Sequence, residues 1–167
     1  MRGALIACIV GLFGSGINVA AGSAEVMTGL ISVRSGSSFT MAGSTLERRL
    51  YGVETCATNQ LAHLNGVAWP CGAVATGWLT QQTLGYHIEC LEEGRAEREY
   101  ATVLVRCFLP SGEDIARLAL REGLAWAAYE EGNPVVPEYV SVEEEARSQR
   151  RGVWSSNFMR NNQLYRP

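Results

Sequence analysis

Between residues 26 and 53 apolar and polar positions alternate in short runs, at 26–33, 39–41 and 46–53, with Gly36 and Gly43 in the gaps. Period-two alternation punctuated by glycine predicts three short strands. The pattern then lapses into a more polar stretch at 54–70. Over 72–84 the spacing becomes helical, with Val74, Trp78 and Leu79 predicted inward and Gly85 placed to stop the helix. Two longer strands are predicted at 86–91 and 100–109, joined by a charged turn that begins Glu92-Glu93-Gly94-Arg95. A helix at 113–122 follows Pro110-Ser111-Gly112, with Ile115 and Leu118 on one face and Gly123 at its end. A short strand at 124–129 leads to a last helix, where Ser141 and Glu144 have capping-box spacing, Glu143 and Arg147 stand i,i+4, and Gly152 is the stop.

This order predicts an α+β, mainly β domain. Five antiparallel strands with a helix after the third are what a five-stranded Greek-key barrel of the OB type requires, here with about three packed helices.

The first two dozen residues differ in kind. Met1-Arg2 supplies a positive start, 4–13 is nearly all apolar, and small residues run through Val19-Ala20-Ala21 and Gly22-Ser23-Ala24. That layout predicts a secretory signal peptide over 1–24, cleaved after Ala21 or Ala24, and a single domain over 25–167. The apolar run is too short for a membrane span of about 20 residues, and Gly14, Gly16 and Asn18 interrupt it. The mature protein is therefore expected to be periplasmic or secreted, with no membrane attachment.

Export changes the meaning of the cysteines. Of the five, Cys8 leaves with the leader, and Cys56, Cys71, Cys90 and Cys107 remain. In an oxidising compartment four cysteines predict two disulfides, for which three connectivities exist. Order and spacing suggest Cys90 opposite Cys107 across the strand pair, leaving Cys56 with Cys71. With no CxxC pair and only His63 and His87 as histidines, a metal site is not expected. The net charge is −3, and all fourteen basic residues are arginine. That acidic balance argues against general nucleic-acid binding, which usually shows a basic face.

Several segments carry a family resemblance. Arg49-Leu50-Tyr51-Gly52-Val53-Glu54-Thr55 resembles the third strand of staphylococcal-type thermonucleases. Trp69-Pro70-Cys71-Gly72 and Arg106-Cys107-Phe108 resemble segments of their secreted, cysteine-containing bacterial branch. Gly123-Leu124-Ala125-Trp126-Ala127, Ala146-Arg147 and Gly152-Val153-Trp154 resemble further motifs of that family, in the same order. The resemblance spans about residues 26 to 158 and implies an OB-type barrel with packed helices.

It also implies calcium-assisted hydrolysis of phosphodiesters, in which carboxylates hold Ca²⁺, a glutamate is the base for water and two arginines stabilise developing charge. Carried over residue by residue, that machinery is mostly missing. The turn that holds a calcium carboxylate becomes Ser35-Gly36-Ser37-Ser38, which puts a hydroxyl at Ser37. The acid closing the third strand becomes Glu54, the base position falls on Ala57 and the second arginine on Thr102; Arg49 alone matches. Loss of a charge-stabilising donor costs about 10²–10³ in rate and loss of a general base about 10²–10⁴. A structural ion pair is the expectation for Arg49, Glu54 and Thr102 should they meet.

The resulting expectation is a non-catalytic thermonuclease-like module without a cofactor, binding an unknown protein or saccharide rather than nucleic acid. Relatives of this branch also occur beside exopolysaccharide genes, so the resemblance admits a role there. The alternative is a weak or altered Ca²⁺-dependent nuclease acting on DNA or RNA through Arg49, Glu54 and Ser37. Tyr86, Tyr100, Trp126, Tyr129 and Tyr139 are candidate stacking aromatics, with core or rim packing the expected role for most. Arg147, Arg150 and Arg151, beside Glu143, Glu144 and Glu145, read as a salt-bridged surface.

Overall fold

A computed structural model describes residues 26–96, 101–160 and 163–165. The leader predicted at 1–24 lies outside the described residues. The first predicted strand is two strands, β1 (Val26–Gly29) and β2 (Ile31–Val33), interrupted at Leu30. Then come β3 (Ser38–Met41), β4 (Glu47–Leu50) and β5 (Val53–Thr55). After helix α1 (Cys71–Thr83), discussed below with the hairpin that precedes it, the chain forms a long pair. These two strands are Ile88–Arg95 and Thr102–Phe108.

The stretch at 54–70 is not a plain loop. It contains a hairpin of β6 (Ala62–Leu64) and β7 (Val67–Trp69), so the long pair is numbered β8 and β9. Asn65 and Gly66 sit at its tip with φ of 51° and 80°, the left-handed pair that a two-residue hairpin turn of matching twist needs. The Asn-Gly dipeptide was the available signal.

The main sheet runs β1-β8-β9-β4-β3-β2. Its two outer strands are consecutive in sequence, so a single bent segment hydrogen bonds to β8 with one half and to β3 with the other. The sheet curls accordingly into an OB-type barrel. The expectation of antiparallel strands throughout is corrected at one contact, because β4 and β9 are parallel. With β1 and β2 counted as one bent strand, the ring has five members. Strand direction cannot alternate all the way round an odd ring, so one parallel neighbour is unavoidable.

Strands β4 and β9 alternate buried and half-buried positions, and Leu50, Val103, Val105 and Cys107 face the core with Phe39 and Ile88. Helix α1 buries Cys71, Ala75, Leu79 and Thr83, an i,i+4 row. Leu79 is inward as predicted, Trp78 is half-buried, and Val74 lies off the row and is 43% exposed. Helix α2 (Ile115–Arg121) starts at Asp114, whose Oδ1 accepts from the N–H groups of Ala116 (2.9 Å) and Arg117 (3.2 Å). Ile115 is buried, as predicted, but the rest of the inward face is Ala116, Ala119 and Leu120, with Leu118 half-buried.

The closing strand β10 (Ala125–Ala127) pairs with β5. A short hairpin, β11 (Tyr129–Glu130) and β12 (Asn133–Pro134), leads into helix α3 (Pro137–Ser148). The capping box expected at Ser141 is not the start of this helix. Pro137 occupies the first turn, where its missing N–H has no partner to lose, and Ser141 Oγ donates back to the Glu138 carbonyl. A 3₁₀ turn (Gly152–Ser155) and a hairpin of β13 (Phe158–Arg160) and β14 (Gln163–Tyr165) complete the described chain.

A second apolar cluster gathers Cys56, Cys71, Trp126, Val153, Trp154 and Phe158 beside α3. At its edge lies Glu143, buried on α3. Its Oε2 accepts the Ala127 N–H at 2.7 Å, and its Oε1 accepts from Arg160 at 3.0 Å and lies 3.8 Å from Arg147. A buried carboxylate is tolerable only with such partners. Gly123 and Gly152 approach backbone to backbone. A Cβ on Gly123 would come within 2.2 Å of the Arg151 carbonyl, and one on Gly152 within 2.3 Å of the Gly123 carbonyl, which accepts the Val153 N–H at 2.9 Å.

Both suggested disulfides are present. Cys90 and Cys107 are directly opposite across β8 and β9, with Cα atoms 4.1 Å apart. Cys56 joins Cys71, at 5.9 Å, across the hairpin of the polar stretch. Replacing Cys90 and Cys107 together by alanine should lower stability by about 2–4 kcal/mol, read as a lower urea midpoint. Burial, and then the 2.6 Å hydrogen bond to Asp114, push the Tyr139 phenol well above its usual range. Its folded-state pKa is raised, so its contribution to stability is full below the unfolded value near 10 and declines above it. Stability of the native protein should therefore fall more steeply above pH 10 than that of Tyr139→Phe, in melts across that range.

Candidate functional site

Arg49 occupies β4 between the buried positions Arg48 and Leu50, so alternation turns it to the outer face of the barrel. There it lines a cleft of about 940 Å³ together with Glu54 of β5. The cleft is bounded by the turn from β4 into β5, by Arg95 and Leu104 of the long pair, and by Glu130, Glu131 and Asn133 of the β11–β12 hairpin. Two of the residues carried over from the family motif are thus brought together.

The Glu54 carboxylate has a partner from within the fold. Glu54 and Trp126 are opposite each other on β5 and β10, and the indole Nε1–H donates to Glu54 Oε2 at 3.0 Å. A charge-assisted bond of this kind fixes the carboxylate against the barrel.

Ser37 is buried in the turn before β3. The Ser35 hydroxyl ties this turn by accepting the Ser38 N–H at 3.0 Å, and the Ser37 hydroxyl accepts the Thr55 hydroxyl at 3.4 Å. A Cβ at Gly36 would lie 2.7 Å from that of Ala75, so the turn is wedged against α1. Polar side chains of serine and threonine replace charge along this edge.

Ala57 is exposed just beyond Cys56. Its N–H donates to Gln60 Oε1 at 2.9 Å, and Gln60 Nε2 donates to the Met159 carbonyl at 2.7 Å. The segment is therefore fastened by an amide to the C-terminal hairpin. Thr102 is buried on β9 opposite Glu47 and does not line the cleft, where its neighbour Leu104 stands instead.

The remaining candidates separate by burial. Trp126 and Tyr139 are core residues, whereas Tyr86 (52%) and Tyr129 (43%) are exposed; Tyr100 lies outside the described residues. The Arg160 guanidinium lies 5.8 Å from the Tyr129 ring centre. Arg147 packs 5.0 Å over Trp154, Arg151 lies 3.8 Å from Glu145, and Arg150 is exposed, a paired surface as predicted. His63 and His87 are both exposed. Among the described residues no three His, Cys, Asp or Glu side chains converge as metal ligands would. No helix among them is long and apolar enough to cross a membrane.

Arg95, Glu130 and Glu131 are site residues the sequence reading passed over. A two-residue turn between short strands was the signal for the last two. Glu131 takes φ of 49° and Gly132 φ of 83°, the same left-handed pair as Asn65-Gly66 but with glutamate where asparagine or glycine is preferred.

The geometry and the sequence place the chain in one class. The sequence profile of the family described as staphylococcal nuclease homologue matches residues 47–156. The chain belongs to that family. A search of curated proteins finds no match.

Trp126→Phe keeps an aromatic ring against Phe158, 5.3 Å away, and deletes the donor to Glu54. It should lower stability by about 1–2 kcal/mol, the low end for a bond to a charged group because Glu54 is half-exposed. Adding Glu54→Gln to that background should cost much less than it does alone, in a double-mutant cycle by urea denaturation.

Proposed function

We propose that this protein is an exported, non-catalytic member of the nuclease family, whose cleft beside Arg49 binds a partner other than nucleic acid. The observation that carries this reading is the state of Glu54. The one acidic residue left at a family metal position accepts the Trp126 indole N–H, and at the other carried-over metal position Ser37 offers a hydroxyl engaged by that of Thr55. Ca²⁺ takes six to eight oxygens and favours several carboxylates. This donor set does not suit it, and no step is assigned to calcium here.

The chemistry left to the chain's own residues is binding. Arg49 can hold an anionic group through a planar fork of N–H donors. Nothing at Ala57 can take a proton from water, and Thr102 supplies no charge to the cleft. The two disulfides suit an oxidising compartment, which supports export.

A weak metal-dependent nuclease is the second reading, favoured by the presence of Arg49 and Glu54 in one cleft. The two are separated by incubating the purified protein with DNA and RNA, with Ca²⁺ and with chelator. No cleavage above background is expected. A Ca²⁺-dependent rate that disappears in Arg49→Ala would sink the non-catalytic reading.

A further inference from the structure

We propose that Glu130 and Glu131 form a charge gate on the cleft, which turns away polyanions and suits it to a cationic segment of a polypeptide. The inference rests on the reading of this cleft as a binding site and names its class of ligand. It starts from the two walls. Arg49 and Arg95 line the cleft from β4 and β8, whereas Glu54, Glu130 and Glu131 line it from β5 and the β11–β12 hairpin. Arg95 is itself 3.7 Å from Glu92 on its own strand. A nucleic-acid chain needs its phosphates matched by cations, and among the described residues that line the cleft three carboxylates stand with two guanidinium groups.

The acidic wall is held in place. Glu130 pairs with Asn133 across β11 and β12, and the Val135 N–H donates to the Ala128 carbonyl at 2.9 Å, closing the base of the hairpin. Glu131 sits in the left-handed region of a two-residue turn, and Tyr129 carries the Arg160 guanidinium on its ring. The backbone therefore presents both glutamates at the cleft from a tight hairpin, not from a long loop that could swing aside. Both are exposed and line the cleft, so they act on whatever approaches. Screening leaves exposed charges a reach of about 8–10 Å, comparable with the width of a cleft of this volume.

The floor identifies the cation. Leu104, Pro134 and Val135, all half-buried, line the cleft among the charged residues. Lysine and arginine side chains lay their methylene stems on apolar surface and keep their charged heads in a polar rim. A compact inorganic cation or a polyanionic saccharide would use only part of this arrangement.

The test uses the purified full-length secreted protein, two fluorescent probes of matched length and fluorescence anisotropy at low and at physiological ionic strength. One probe is oligolysine, the other single-stranded oligothymidylate. The native protein should prefer oligolysine. Glu130→Gln/Glu131→Gln should shift the ratio of the two affinities toward the oligonucleotide by about 10-fold or more at low salt, and by less as salt rises. Glu122→Gln/Glu144→Gln makes the same change of net charge at exposed positions outside the cleft and should shift the ratio less than about 2-fold. An unchanged ratio in the hairpin variant, an equal shift in the control or a native preference for the oligonucleotide would overturn the gate. Thermal melting of each variant shows that it is folded. Calcium-dependent loss of the oligonucleotide probe would overturn the non-catalytic reading instead, so the two failures are told apart.

Discussion

Closure of the barrel depends on the chain changing hydrogen-bonding partner at Leu30. Up to Gly29 the first strand belongs to β8, and from Ile31 it belongs to β3, so one short segment satisfies both edges of a sheet that would otherwise be open. Open edges leave backbone groups unpaired and invite association. Closing them also sets the position of everything else. The ring needs one parallel contact, here β4 with β9, and that contact fixes Arg49 beside Leu104 and Thr102 beside Glu47. The Cys90–Cys107 bond then ties β8 to β9 at the centre of the same ring.

Outside the barrel, the helical side is organised by one buried carboxylate. Glu143 joins α3 to the backbone of β10 and to Arg160 of β13, three segments that share no sheet. Because β10 also carries Trp126 against Glu54, the packing of α3 and the rim of the cleft are mechanically linked through a strand of three residues. The site is in this sense an extension of the second core, not an appendage of the barrel.

Most of the barrel was legible because it follows from local alternation. The runs at 26–33, 39–41, 46–53, 86–91 and 100–109 each contain strand in the structure, and the cysteine order led to the disulfides. What local pattern cannot carry is the change of partner at Leu30, since an alternating run looks the same whichever neighbour it pairs with. Position 74 was misplaced because an apolar residue can fall beside a helix's buried row, and Ser141 because an earlier proline had already started α3. At the site, motif order singled out Arg49 and Glu54, and both line one cleft. It could not foresee the indole that engages Glu54, 72 positions away, or the hairpin glutamates that line the same cleft, because neither juxtaposition is local in sequence. Thr102 pairs with Glu47 in the sheet and is buried there, outside the residues that line the cleft.

The glycine seam has a bearing on descent. Gly123 and Gly152 open two of the segments by which the family is recognised, and each excludes any side chain because the other's backbone is already there. Neither position admits a side chain without moving the other segment's backbone, so the seam holds the architecture independently of the rim. On the cleft, Arg95, Glu130 and Glu131 are exposed side chains that make no backbone approach of this kind. A lineage can therefore redraw the rim substitution by substitution, from one kind of ligand to another, while the seam carries the ancestral scaffold forward unaltered.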